Sequence, residues 1–146
     1  MFIDKQLEFS SAQAVTASAL STNVLDLGPI TKASKRNIGA GRPLFVVIRV
    51  DTTATAAGAG TVNFQLVTDT AVGGSYSTVI ADSGSYGKAV LTAGRELIII
   101  PIPDGALKYL ALNYLVGTGP LTAGAFSAAV TLDAQRWTSY AKNYVV

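Results

Sequence analysis

Along much of this chain apolar residues recur at every second position. In 61–66, Val62, Phe64 and Leu66 fall on one side and Thr61, Asn63 and Gln65 on the other. In 109–116, Leu110, Leu112, Tyr114 and Val116 share a face, with Ala111 and Asn113 opposite. In 126–133, Phe126, Ala128, Val130 and Leu132 are expected inward. A period of two with one wet face predicts antiparallel strands. Two further runs, 44–48 and 97–100, are apolar at every position and predict central strands covered on both sides. In a small domain without helices, the second cover is expected to be another subunit.

Breakers punctuate these runs: Gly28-Pro29, Gly39 to Pro43, Gly58 to Gly60, Gly73-Gly74, Ser83 to Ser85, Pro103 to Gly105 and Gly117 to Pro120. About eight strands are predicted, near 6–9, 23–27, 44–51, 61–69, 77–82, 88–91 with 96–102, 109–116 and 124–133. Such spacing predicts an all-β jelly roll or related two-sheet antiparallel sandwich. The Ala- and Ser-rich stretch from Ser10 to Leu20 has no apolar stripe and is expected to be extended or irregular. The whole chain, 1–146, reads as one domain, with an N-terminal arm over about 1–20 and an aromatic C-terminal tail over about 134–146.

Composition narrows the chemistry. The 146 residues include no Cys and no His. Disulfides, thiolate nucleophiles, zinc-thiolate clusters, imidazole bases and Ser-His-Asp triads are therefore excluded. Gly39-x-Gly41 and Gly58-x-Gly60 lack the third glycine of a dinucleotide fingerprint, and Gly87-Lys88 lacks the P-loop frame. The Asp residues mostly flank turns, where local backbone hydrogen bonds are their usual work. No calcium loop is present. The chain is thus expected to be no enzyme, with no cofactor and no metal. Its start shows no apolar signal segment, and no run approaches the length of a membrane span, so a soluble protein made in the cytoplasm is expected.

Charged residues make up 14% of the chain against about 25% in ordinary soluble domains, and mean hydropathy is +0.39. A weakly charged surface favours association. The net charge of +2 is too weak a field to imply nucleic acid. The bases that cluster are Lys32, Lys35, Arg36 and Arg42, in an acid-free stretch rich in Gly. They form either a solvated loop or a contact with an acidic protein partner; no aromatic interleaves them as single-stranded nucleic acid would require. Phe2, Ile3, Leu7 and Phe9 crowd the N-terminus, as an edge strand of their own domain or as an arm reaching a neighbour. Trp137, Tyr140 and Tyr144 are interface anchors or cover over a sheet end. These eleven residues are the candidate partner-binding set.

Four stretches in this order resemble a known family: Met1 to Asp4 with Leu7, Phe9-Ser10 and Ala12 to Ala14; Val24 to Gly28; Arg36 to Leu44; and Tyr109 to Tyr114. Together they resemble the small capsid cement (decoration) proteins of some tailed bacteriophages. The resemblance implies a jelly-roll protein on the outer surface of an icosahedral head, tying neighbouring major capsid protein subunits together. It also implies a homo-oligomer, a dimer near two-fold positions, with a trimer as the alternative. It carries no enzymatic residues, and no nucleic acid or membrane partner. A rival reading is a carbohydrate-binding or adhesin-type module, which needs an exposed aromatic platform from Tyr76, Tyr86 and Trp137. A second is a head-tail component.

Overall fold

The computed structural model describes residues 4–28 and 43–134. Nine strands fill this range: β1 (Glu8–Ala14), β2 (Ala19–Leu20), β3 (Leu25–Asp26), β4 (Phe45–Thr55), β5 (Thr61–Asp69), β6 (Thr78–Gly87), β7 (Ile98–Pro101), β8 (Tyr109–Gly117) and β9 (Ala123–Thr131). They form two antiparallel sheets, in the orders β1-β9-β4-β7 and β2-β8-β5-β6, with β3 also pairing with β8. We call these sheets A and B.

The short β2 and β3 lie in tandem against β8, so they act as one interrupted strand. Counted so, the first strand pairs with the eighth, the second with the seventh, the third with the sixth and the fourth with the fifth. That nesting of pairs, rolled across two sheets, is the jelly-roll order of an eight-stranded sandwich.

The core lies between the sheets. Val46, Ile48 and Val50 of β4 face Val62, Phe64 and Leu66 of β5 across it, with Leu110, Leu112 and Tyr114 from β8 and Phe126, Ala128 and Val130 from β9. Aromatics hold its centre. The Phe64 ring meets Phe126 edge-on at 5.2 Å and Tyr114 edge-on at 5.8 Å, while Tyr114 and Phe126 stack at 5.8 Å. These geometries are the favoured ones for ring quadrupoles. The Tyr114 hydroxyl also needs a partner, and it pairs with Ser10 Oγ on β1. A buried polar link thereby ties sheet B to sheet A.

Several expectations are corrected here. The apolar run 97–100 forms β7 at the edge of sheet A, with Ile98 and Ile100 in the core and Ile99 41% exposed on the outer face. A continuous apolar run says nothing of where a strand stands in the sheet. Leu132 lies beyond the end of β9 and is 62% exposed, so the inward alternation stops at Val130. Residues Lys88–Val90 form a 3-10 turn rather than a strand. Over 10–20, expected to be extended or irregular, the backbone is extended in β1 to Ala14 and again in β2 at 19–20.

Local chemistry explains why β1 escapes its own pattern. Its ladder to β9 shifts register twice, and Ala12 adopts a left-handed backbone (φ 46°) at the second irregularity. The freed Ala12 N–H donates to Ser127 Oγ at 2.8 Å, and Ser127 donates to Asp51 Oδ2 at 2.5 Å. Arg49 holds the other oxygen of Asp51 at 2.6 Å. A polar chain on the outer face of sheet A thus does what alternation does elsewhere. Bulges of this kind erase a two-residue period.

Candidate interaction surface

The faces and ends of the sandwich are taken as the candidate site, because the residues singled out in the sequence are apolar, aromatic and basic ones suited to contact. On sheet B, Val67 and Ala111 point outward, opposite each other, yet both are buried. The turn between β5 and β6 covers them by laying Tyr76 over them, with Val24 and Tyr109 packed alongside. Asp69 shapes that turn: its Oδ1 accepts from Ala71 N at 3.0 Å and its Oδ2 from Tyr76 N at 3.1 Å. The Tyr76 hydroxyl then donates to Val72 O at 3.0 Å. The N–H donors, Ala71 first and Tyr76 second, hold the Asp69 carboxyl below the ordinary range. Burial, and then the nearby Asp69 charge, push the Tyr76 phenol up.

This turn makes a direct prediction. Asp69→Asn leaves one side-chain acceptor where there were two, so either the Ala71 or the Tyr76 amide loses its partner. Hydrogen exchange at that amide is expected to accelerate at least tenfold while the amides of β5 stay protected. Exchange unchanged at both would show that the carboxylate does not hold the turn. Gly74→Ala is expected to loosen the same turn, since its Cβ would stand 2.3 Å from the Asp69 carboxyl carbon. The wild-type turn should likewise loosen in acid. A carboxyl with a lowered folded pKa contributes stability above its unfolded value, and that stability is lost as pH falls through the folded one.

The aromatic platform of the carbohydrate reading is not assembled among the described residues. Tyr76 is 5% exposed. Tyr86 packs against Phe64 at 6.2 Å, and the Arg95 guanidinium stands 5.0 Å from its ring centre. Trp137 lies outside the described residues. Exposed apolar side chains on the strands are instead divided between the two faces: Ile99 on sheet A, Leu20, Val79 and Leu115 on sheet B. Among the described residues no group of three or more acidic side chains is arranged to hold a metal ion, and no helix is long and apolar enough to cross a membrane.

Charge is partitioned along the chain. The described residues hold all nine acids but only five bases, Lys5, Arg49, Lys88, Arg95 and Lys108, for a net charge of −4. The segments 29–42 and 135–146 hold the other six bases and no acid. Register places most of the acids at one end of the sandwich. Asp4 and Glu8 open β1, Asp26 and Asp69 flank the start of β8, and Asp104 and Asp133 follow β7 and β9. The two bases at that end are engaged, Lys5 with Glu8 at 2.5 Å and Lys108 with the Tyr109 ring at 4.8 Å. The Tyr109 hydroxyl raises the Lys108 pKa, first by hydrogen bonding and then by charge. Both basic segments join the described chain at this same end, after β3 and after β9.

Of the eleven candidate partner-binding residues, two are described. Phe9 is fully buried in the chain's own core and Leu7 packs half-buried against it. β1 is therefore an edge strand of the domain it belongs to, and a truncation through Phe9 would remove core, not only surface. Phe2, Ile3, Lys32, Lys35, Arg36, Arg42, Trp137, Tyr140 and Tyr144 lie outside the described residues. The buried outer-face cluster under Tyr76 was not anticipated; the only trace of it in the sequence is the unbroken apolar step Leu66-Val67 within an otherwise alternating strand.

Comparison with known proteins adds a family. A family model named Bbp16 matches residues 9–130, from β1 to the end of β9. The chain belongs to the Bbp16 family. That match spans both sheets and the whole core, so membership attaches to the sandwich itself and not to a fragment of it. No curated protein matches the chain. The Bbp16 region also contains the basic stretch 32–42 and three of the four stretches that resemble decoration proteins, together with half of the first.

Proposed function

We propose that this Bbp16-family chain is a structural protein of a tailed-phage particle, a cement protein that binds the outer surface of the head and clamps neighbouring major capsid protein subunits. It acts as a homo-oligomer, a dimer first, and not as an enzyme. It is made in the host cytoplasm and carried on the virion. The observation that supports this best is the overlap of the two likenesses. The Bbp16 match covers three of the four stretches resembling decoration proteins and half of the first.

Physical features favour the same reading. A jelly roll offers two broad faces and two ends on which a partner can seat. Six of its eleven bases fall in the acid-free stretches 29–42 and 135–146, a charge pattern that suits an acidic protein partner. Each copy would contribute a modest contact, and icosahedral symmetry would repeat it across the shell. Strength would then come from number rather than from any one tight site.

The test is co-sedimentation of the purified chain with expanded, undecorated heads, with compact procapsids as control. Saturable binding to expanded heads alone is the expected result, and binding to neither would remove the proposal. A second expectation concerns the basic stretch. Lys35→Glu with Arg36→Glu should weaken head binding several-fold at 50 mM salt and much less at 500 mM, because the Debye length shrinks from roughly 14 Å to about 4 Å. Equal weakening at both salts would show that the contact is not electrostatic.

A further inference from the structure

The link from β7 to β8 runs over residues 102–108, at the acidic end of the sandwich. It is pinned on both sides. The Ile102 N–H donates to Leu44 O at 2.9 Å, and the Ile102 side chain is part of the core. The Leu107 N–H donates to Thr68 Oγ1 at 2.8 Å, and Lys108 O accepts from Leu27 N at 2.8 Å. Between these pins stand Asp104 and Gly105, both exposed. Gly105 has a left-handed backbone (φ 100°), a conformation open to glycine at no steric cost. A Cβ placed on it would meet no atom within 4 Å, so the space beside this residue is open.

The Asp104 carboxylate differs from the other Asp carboxylates of the fold. Asp4, Asp26, Asp69 and Asp82 each accept the amide two residues on, at 2.9, 2.8, 3.0 and 3.2 Å. Such local bonds are the usual occupation of Asp at turns. Asp51 holds Arg49 and Ser127. Asp133 is followed by Ala134, which is buried. Among the described residues, Asp104 has no hydrogen bond on its carboxylate and Gly105 has none on its N–H. A side-chain carboxyl and the amide nitrogen of the next residue are the two groups that close a five-membered imide ring. Here both are unoccupied, and the residue that carries the nitrogen has no side chain to obstruct it.

We propose that Asp104-Gly105 is a spontaneous modification site of the folded chain, where Asp104 converts to isoaspartate. The Gly105 nitrogen attacks Cγ of the protonated Asp104 carboxyl. One carboxyl oxygen leaves as water, taking the carboxyl proton and the amide proton, and a succinimide remains. One water then adds back. Opening at Cγ restores Asp104. Opening at the α-carbonyl breaks its bond to the Gly105 nitrogen and leaves the main chain running through Cβ and Cγ. Nothing is oxidised or reduced, and the mass is unchanged. The backbone gains one carbon, and the carboxylate now stands on Cα. With Ile102 and Leu107 pinned, that carbon is absorbed within 103–106 and both sheets keep their registers. The new α-carboxylate is a methyl acceptor for the class of protein carboxyl methyltransferase that uses S-adenosylmethionine. The modified chain is thereby a substrate for that class.

The test ages the full-length folded chain at neutral pH and body temperature and samples it over several weeks. Isoaspartate is counted by methyl transfer from labelled S-adenosylmethionine with an isoaspartyl methyltransferase. It is located by peptide mapping, because an endoprotease that cuts before Asp does not cut before isoaspartate. Methyl acceptance is expected to rise with age and to map to Asp104, accruing there about tenfold faster than at Asp82, whose carboxylate is held although Ser83 follows it. Asp104→Glu keeps the charge at an exposed position but would need a six-membered ring, so it should lose most of the methyl acceptance with an unchanged urea midpoint. No isoaspartate at Asp104 in the folded chain would overturn the proposal. So would equal accrual at Asp104 and Asp82, since a free carboxylate would then not select the site. Undiminished methyl acceptance in Asp104→Glu would place the modification elsewhere and overturn it as well.

Discussion

Phe64→Ala is expected to lower the stability of the domain by about 3–5 kcal/mol, the largest loss from any one truncation in this core. The ring is fully buried and sits where the two sheets meet, edge-on to Phe126 and Tyr114 and tilted against Tyr86. Removing it takes away the transfer free energy of the ring and leaves a cavity between three aromatics held by opposite sheets. Neither sheet can move in without breaking its own ladder, so collapse is limited and the cavity term stays large. The check is urea unfolding, with a slope of roughly 1–3 kcal/mol per M for a chain of this size. Phe64→Leu should lose less than half as much. Val79→Ala, at a side chain 45% exposed on β6, should stay within about 0.5 kcal/mol of wild type. A Phe64→Ala loss below about 1 kcal/mol would mean that the sheets are not pressed together at this point.

Alkali should find the second weak point. Burial pushes the Tyr114 phenol up to about 12 from an ordinary 10.0, although its Ser10 hydrogen bond pulls the other way. Below pH 10 both folded and unfolded chains keep this proton, and the full contribution of the buried phenol is present. Above pH 10 the unfolded chain releases it and the folded chain does not. Stability then falls at about 1.4 kcal/mol per pH unit until about pH 12, roughly 2–3 kcal/mol in all. Tyr114→Phe removes this slope. At pH 8 it should cost about 1 kcal/mol, since Ser10 loses its hydroxyl partner and keeps only the carbonyl of Phe126 at 3.3 Å. The variant therefore starts below wild type and closes the gap as pH rises. Urea midpoints of both proteins at pH 8, 10 and 11 decide the matter; parallel decline would rule Tyr114 out as the group responsible.

How much of this was legible beforehand depended on what covers each strand. β5, β8 and β9 were read closely, because each has a core face and a different second face, and alternation survives. β7 was read as a strand but placed wrongly. Ile98 and Ile100 are apolar for the core, while Ile99 stands open at an edge, and the sequence does not distinguish that from burial. β1 was largely missed for the opposite reason: its bulges break the period, and hydroxyls of Ser10 and Ser127 replace apolar contacts. The cover over Val67 and Ala111 depends on a turn folding back through Asp69, a long-range event with no local pattern. Function was least legible. Surfaces made of Thr, Ser and Ala carry no motif, and nine of the eleven candidate residues lie outside the described range. The likeness to decoration proteins came from the order of structural residues and has no catalytic signature behind it.

The nesting of strand pairs also sets a timetable. β5 and β6 are joined by a short turn and can close as soon as both exist, whereas β1 finds β9 only when Ala125 to Ala129 have been made, over a hundred residues later. At about 5–20 residues per second on the ribosome, the first strand waits for roughly 5–25 s with its backbone unpaired. Loop-closure cost grows with that separation, so the outermost pair is also the slowest to form in free solution. During the wait the nascent N-terminal segment is an open strand edge. The first strand to be made is thus the last to be covered.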